Sequence, residues 1–116
     1  MKQNQNSKQY DLEDRTFEFA KGVRDYLKTV TKTLSNIEYS KQLIRSSGSV
    51  AANYIEANES LSKKDFLLRI KICRKEAKET RLWLKLIDSE SEIKYALLKE
   101  INELMKIFGA IVTKSS

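Results

Sequence analysis

Glutamates three residues apart occur three times in this chain, as Glu56/Glu59, Glu76/Glu79 and Glu100/Glu103. On a helix, residues at this spacing share a face, so each pair could grip one Mg²⁺ between two carboxylates. That donor set would suit an all-helical, Mg-dependent nucleotide pyrophosphohydrolase. Against it, Lys75, Lys78 and Lys99 stand beside the acids and compete for them. Glutamates so spaced are also ordinary on solvated helix faces. Other catalytic sets are missing. The chain has no histidine, which removes the commonest general base and metal ligand. Nucleophilic triads of the usual kind and the Glu-x-x-His pairs of di-iron bundles both need one. No GxxxxGK[ST] or GxGxxG phosphate loop is present. The one cysteine, Cys73, has no histidine to lower its pKa and reads as a small buried hydrophobe. The expectation is a protein that is not an enzyme and uses no metal or cofactor.

Phosphate recognition is the other chemistry these residues allow. The stretch Lys63 to Ile87 holds nine basic and three acidic side chains, a surplus of six that equals the net charge of the whole chain. Charge gathered on one segment produces a local field that a phosphate backbone or an acidic protein would feel. On a helical wheel, Phe66, Ile70, Cys73, Ala77, Thr80, Leu84 and Ile87 form an unbroken seam spaced four and three apart. Lys64, Lys71, Lys75, Lys78 and Lys85 lie opposite that seam, with Arg74 and Arg81 on one flank. The acids Asp65, Glu76 and Glu79 fall on the other flank and leave the basic face unneutralised. These seven cations are the candidate nucleic-acid contacts, to RNA or DNA backbone without base readout. The competing reading is a merely solvated face. Leu68, Ile72, Trp83 and Leu86 also lie off the seam, on the acidic side. A second apolar flank carrying a tryptophan points to a contact with another subunit. For Trp83 the alternatives are core packing and a base-stacking platform.

The elements that hold these residues are helices. The chain has no proline and three glycines, a composition suited to long helices and not to a turn-rich β fold. Four amphipathic segments are expected. The first spans about Asp11 to Thr31, with the stripe Thr16, Ala20, Val23, Leu27, Val30 and Leu34. Ser35-x-x-Glu38 reads as a capping box opening the second, which continues to about Glu59. Ser62-x-x-Asp65 opens the third. Ser89-x-x-Glu92 opens the fourth, whose stripe is Ile93, Leu97, Ile101, Leu104, Phe108 and Ile111. Helices of about 20 residues, roughly 30 Å long, joined by short breaks must lie antiparallel to their neighbours. The expected fold is all-α: an up-down-up-down four-helix bundle over residues 10–113, behind a disordered tail over residues 1–9. Part of the apolar surface would be buried in a homo-oligomer. In the second helix, the small-residue run Ser46 to Asn53 lets another backbone come close, either inside the bundle or at a protomer or ligand contact. Glu56 is expected to pair with a basic residue of the third helix. The polar start, Met1 to Ser7, has no apolar core of a signal peptide, and no apolar run reaches bilayer length. Together with the lone cysteine, this fits a cytoplasmic protein with no membrane partner.

The ordered set of motifs resembles the bacterial four-helix bundle family of 23S rRNA intervening-sequence proteins. The segment from Gln42 to Ala57 looks like the family's Q-x-x-R-(A/S)-x-x-S-(I/V)-x-x-N-I-x-E-G, with Gln42, Arg45, Ser49, Val50, Asn53 and Glu56 in place. Lys63-Lys64-Asp65-Phe66-Leu67 resembles the opening of the family's third helix, and Asp11-Leu12 the acid-Leu start of its first. The family's Gly after the Glu is Ala57 here, so the second helix is expected to run further before it turns. The resemblance implies a small cytoplasmic bundle without established enzymatic activity. It is similar to the accessory variability determinant of diversity-generating retroelements. That likeness implies a ring-like homopentamer, with RNA or DNA and a reverse transcriptase as partners. Gln42, Arg45, Ser49, Asn53 and Glu56 would then be structural positions.

Overall fold

The computed structural model describes residues 8–115, with side chains from residue 12 on. Four helices make up the fold: α1 Lys8–Leu27, α2 Leu34–Asn58, α3 Lys63–Leu86 and α4 Glu92–Ser115. The tail expected over residues 1–9 lies outside the described residues, except for its last two, which open α1. The Asp11 side chain also lies outside them. Neighbouring helices touch in antiparallel register. Asn58 Nδ2 donates to Glu13 Oε1 between α2 and α1 (3.3 Å), and Arg81 Nη1 donates to Asn102 Oδ1 between α3 and α4 (2.9 Å). Arg15 forks onto both Glu100 carboxylate oxygens between α1 and α4, at 3.0 and 2.8 Å.

The caps settle where each helix starts. Ser62 is extended and its side chain accepts from Asp65 N, as the sequence led us to expect. The second helix is capped by Thr33, not Ser35: Thr33 accepts from Asn36 N, and Ser35 lies inside the helix. The earlier start places Asn36 where its buried amide joins two loops. Asn36 Nδ2 donates to Thr31 O (3.0 Å) and Asp88 O (3.1 Å), and Asn36 Oδ1 accepts from Asp88 N (2.8 Å). The fourth helix is capped by Ser91, not Ser89, with Ser91 Oγ accepting from Lys94 N.

The α3 seam is buried as read, with Phe66 half-buried at its start. Two other stripes turn relative to expectation. In α1 the buried set is Leu12, Thr16, Phe19, Val23 and Tyr26, continued by Val30 just past its end, with Ala20 and Leu27 half-buried beside it. Phe19 and Tyr26 remove more apolar area from water than Ala20 and Leu27, and this rotates the helix toward them. Leu34 is 83% exposed because the chain turns after Val30. In α4, Ile93 faces outward and Lys94 is 5% exposed instead. Its amine donates to Ile87 O, 2.9 Å away just past the last turn of α3, and lies 3.7 Å from Glu90. A cation there satisfies an end carbonyl and complements the negative end of the helix dipole.

The small-residue run of α2 divides by face. Ser46 and Ser47 are buried, and Ser46 Oγ lies 2.8 Å from Thr80 Oγ1 of α3. Cys73 Sγ donates to Val50 O across the same seam (3.6 Å). Close packing of α2 on α3 accounts for these residues. Gly48 points the other way, and a Cβ built on it would meet no atom within 4 Å. The helix continues only to Asn58, one residue beyond Ala57.

Candidate nucleic-acid interface

Because the seam of α3 faces inward, its charges must divide between its two flanks. On the α2 side, Arg45 Nη1 lies 3.5 Å from Glu76 Oε1 and Arg45 Nη2 lies 3.5 Å from Glu79 Oε1. Glu76 is only 7% exposed, so Arg45 is the cation that balances a nearly buried carboxylate. Arg69 Nη1 donates to Asn53 Oδ1 (3.0 Å), and Asn53 Nδ2 donates back to Ser49 O and Oγ. Arg45 and Asn53 therefore tie α2 to α3, and Ser49 holds the Asn53 amide from within α2. Gln42 is exposed. Glu56 is exposed too and forms no ion pair among the described residues; Asn53, one turn earlier, takes the α3 arginine instead.

Drawing Glu76 and Glu79 toward α2 leaves the opposite side of α3 basic. Lys64, Lys71, Arg74, Lys75, Lys78 and Lys85 are exposed, and none makes an ion pair among the described residues. Arg81 is half-buried against Asn102. Four of the seven candidates converge on a shallow depression of about 390 Å³ lined by Lys71, Arg74, Lys75, Lys78 and Glu79. A second groove of about 430 Å³ runs between α3 and α4, where Arg74, Lys78 and Arg81 meet Asn102, Met105, Lys106 and Gly109. Lys64 and Lys85 stand outside both. Lys106 was not singled out from sequence; only the register of α4 against α3 brings it to this face.

The apolar flank is only partly open. Trp83 is half-buried and stacks on Tyr39 of α2 with ring centroids 5.9 Å apart, and Ile72 is also half-buried. Leu68 is 55% exposed and Leu86 is exposed. Leu82, unremarked in the sequence, is exposed among the lysines.

Two of the three glutamate pairs face basic side chains. Glu76 and Glu79 face Arg45, Glu100 is held by Arg15, and Glu103 lies 3.9 Å from Lys106. Among the described residues, no three His, Cys, Asp or Glu side chains gather where they could hold a metal ion. Cys73 is fully buried and burial pushes its thiol up to about 12, the opposite of what a nucleophile requires. Among the described residues, no helix is long and apolar enough to cross a membrane.

These features define a small all-helical bundle with one strongly basic face. The chain belongs to the 23S rRNA-intervening sequence protein family, which it matches over residues 8–114. Its fold is similar to the crystal structure of a protein of unknown function from the S23 ribosomal protein family of Bacteroides thetaiotaomicron. The two agree with a TM-score of 0.76 at 29% sequence identity, over 86% of this chain and 96% of that one. No curated protein matches the chain.

Proposed function

We propose that this chain is a non-enzymatic, oligomeric protein of the cytoplasm that binds the phosphate backbone of RNA or DNA through α3. The observation that carries the reading is the sorting of charge on that helix. Glu76 and Glu79 pair with Arg45 on one side, while six cations on the other make no ion pair among the described residues. Contacts to phosphate release condensed counterions, so affinity should fall steeply with salt. Titrating labelled RNA and duplex DNA at ~50 and ~200 mM salt tests this, since several phosphate contacts lose orders of magnitude over that range. No binding at the lower salt sinks the reading.

The non-enzymatic part is supported by carboxylates already committed to Arg15 and Arg45. Assembly is supported by Leu68 and Leu86, which stay exposed beside Ile72 and Trp83. The family resemblance favours a ring-like pentamer. A monomer mass by light scattering refutes assembly. A second reading, docking of an acidic partner protein, is favoured by Leu82, which stays exposed on the basic helix. Lysine substitutions that abolish a pull-down of that partner but leave RNA affinity unchanged would select it.

A further inference from the structure

We infer that the nucleic-acid phosphates are anchored in the groove between α3 and α4, by a site built from both helices, and are not held evenly along the lysine row. This rests on the backbone-binding reading of α3 and adds Lys106 and Asn102 of α4 to it. Four cations line the groove, Arg74, Lys78, Arg81 and Lys106, and no carboxylate does. The same side of α3 outside the grooves holds only separated lysines. Lys64 is ten residues from Arg74, or about 15 Å along the helix, on a flexible stem with nothing to orient it.

Three details prepare the groove for an anion. Arg81 is half-buried and spends one N–H on Asn102 Oδ1 at 2.9 Å. A guanidinium carries five such donors in a rigid fork, so this bond fixes the side chain and leaves others for a phosphate. Arg74 lies over Gly109: a Cβ built there would stand 4.0 Å from Arg74 Nε. A methyl there would make only ordinary contact, so it takes a larger side chain to fill the floor beneath that guanidinium. Lys106, on the far wall, is tied only to Glu103 at 3.9 Å, and both groups are exposed. Such a pair is worth little and gives way to a phosphate. From Arg74 to Arg81 the row runs about 10 Å, enough to meet more than one phosphate of one strand.

The test compares wild type with Lys106→Ala, Gly109→Leu and Lys64→Ala, using anisotropy of a labelled ~20-nucleotide single-stranded RNA across salt. Lys106→Ala and Lys64→Ala remove the same charge, and Gly109→Leu removes none. The groove predicts a loss of about tenfold for Lys106→Ala and for Gly109→Leu, and less than about twofold for Lys64→Ala. The salt slope should shrink by about 0.7 for Lys106→Ala and stay fixed for Lys64→Ala. If wild type binds and Lys106→Ala behaves like Lys64→Ala, the groove is wrong while the basic-face reading survives. If wild type does not bind, both fall. Should Gly109→Leu misfold by circular dichroism, the exposed Lys106 substitution decides alone.

Discussion

Replacing Gly48 by alanine tests whether the outer face of α2 is as open as the structure makes it. Gly48 sits inside an unbroken helix, where glycine costs about 0.8–1 kcal/mol relative to alanine. A methyl group there would meet no atom within 4 Å, so nothing offsets the gain in helix propensity. The expected effect is a stabilisation of about 1 kcal/mol. With an unfolding entropy of about 2.1 cal/mol/K per residue over a chain of this length, that raises Tm by about 4 °C. Gly22→Ala is the internal control. Its Cβ would stand 3.3 Å from Leu97 Cδ2, and Leu97 is buried. The crowding there should cancel most of the same propensity gain and leave Tm nearly unchanged. Calorimetry at two protein concentrations, with light scattering beside it, reads both variants. A lower Tm for Gly48→Ala refutes the reasoning, because it requires atoms where the chain provides none. If oligomer mass falls as well, those atoms belong to a second copy packed on α2.

Two further outcomes follow from buried groups. Asn36→Ala removes three hydrogen bonds and strands the Asp88 N–H, so urea unfolding should show a loss of about 2–3 kcal/mol; a loss below about 0.5 kcal/mol would show that the loops hold without it. Burial raises the Cys73 thiol from 9.0 to about 12, so the folded state keeps its proton while the unfolded state releases it. Stability is therefore intact below about pH 9 and declines as pH rises toward 12, by up to about 4 kcal/mol from this group. A thiol reagent at pH 8 should label native protein only as fast as it unfolds, and fast labelling would contradict the burial.

Much of the fold was legible because α3 carries an unbroken four-three stripe and because Ser62-x-x-Asp65 marks its start. Both are local patterns, and both appear in the structure. The misplaced starts have a common cause. Thr33 and Ser91 win over Ser35 and Ser89 because Asn36 and Lys94 must reach partners in other segments, Asp88 and Ile87. A buried lysine such as Lys94 reads as surface until the carbonyl it serves is known. For the site, the wheel placed Glu76 and Glu79 on the flank that meets Arg45, since that depends on one helix alone, although Glu79 also borders the depression lined by Lys71, Arg74, Lys75 and Lys78. It could not reveal Arg45 as their partner, nor Lys106 across the groove. Those depend on the register between helices, which no spacing within one helix encodes. Glu56 shows the same limit: the right helix pair was named, but Asn53 held the facing position.

The Asn36–Asp88 clamp also bears on the order in which the molecule assembles. Helix hairpins form from contacts close in sequence, but this clamp closes the far end of the α2–α3 hairpin, joins residues 52 positions apart and gains nothing until those two helices are packed along their length. It should therefore be absent from the folding transition state. Removing it would leave the refolding arm of the chevron almost unmoved and place the loss in the unfolding arm. On that account Asn36 is a latch: it governs how long the native bundle lasts once formed, and has little part in how quickly it forms.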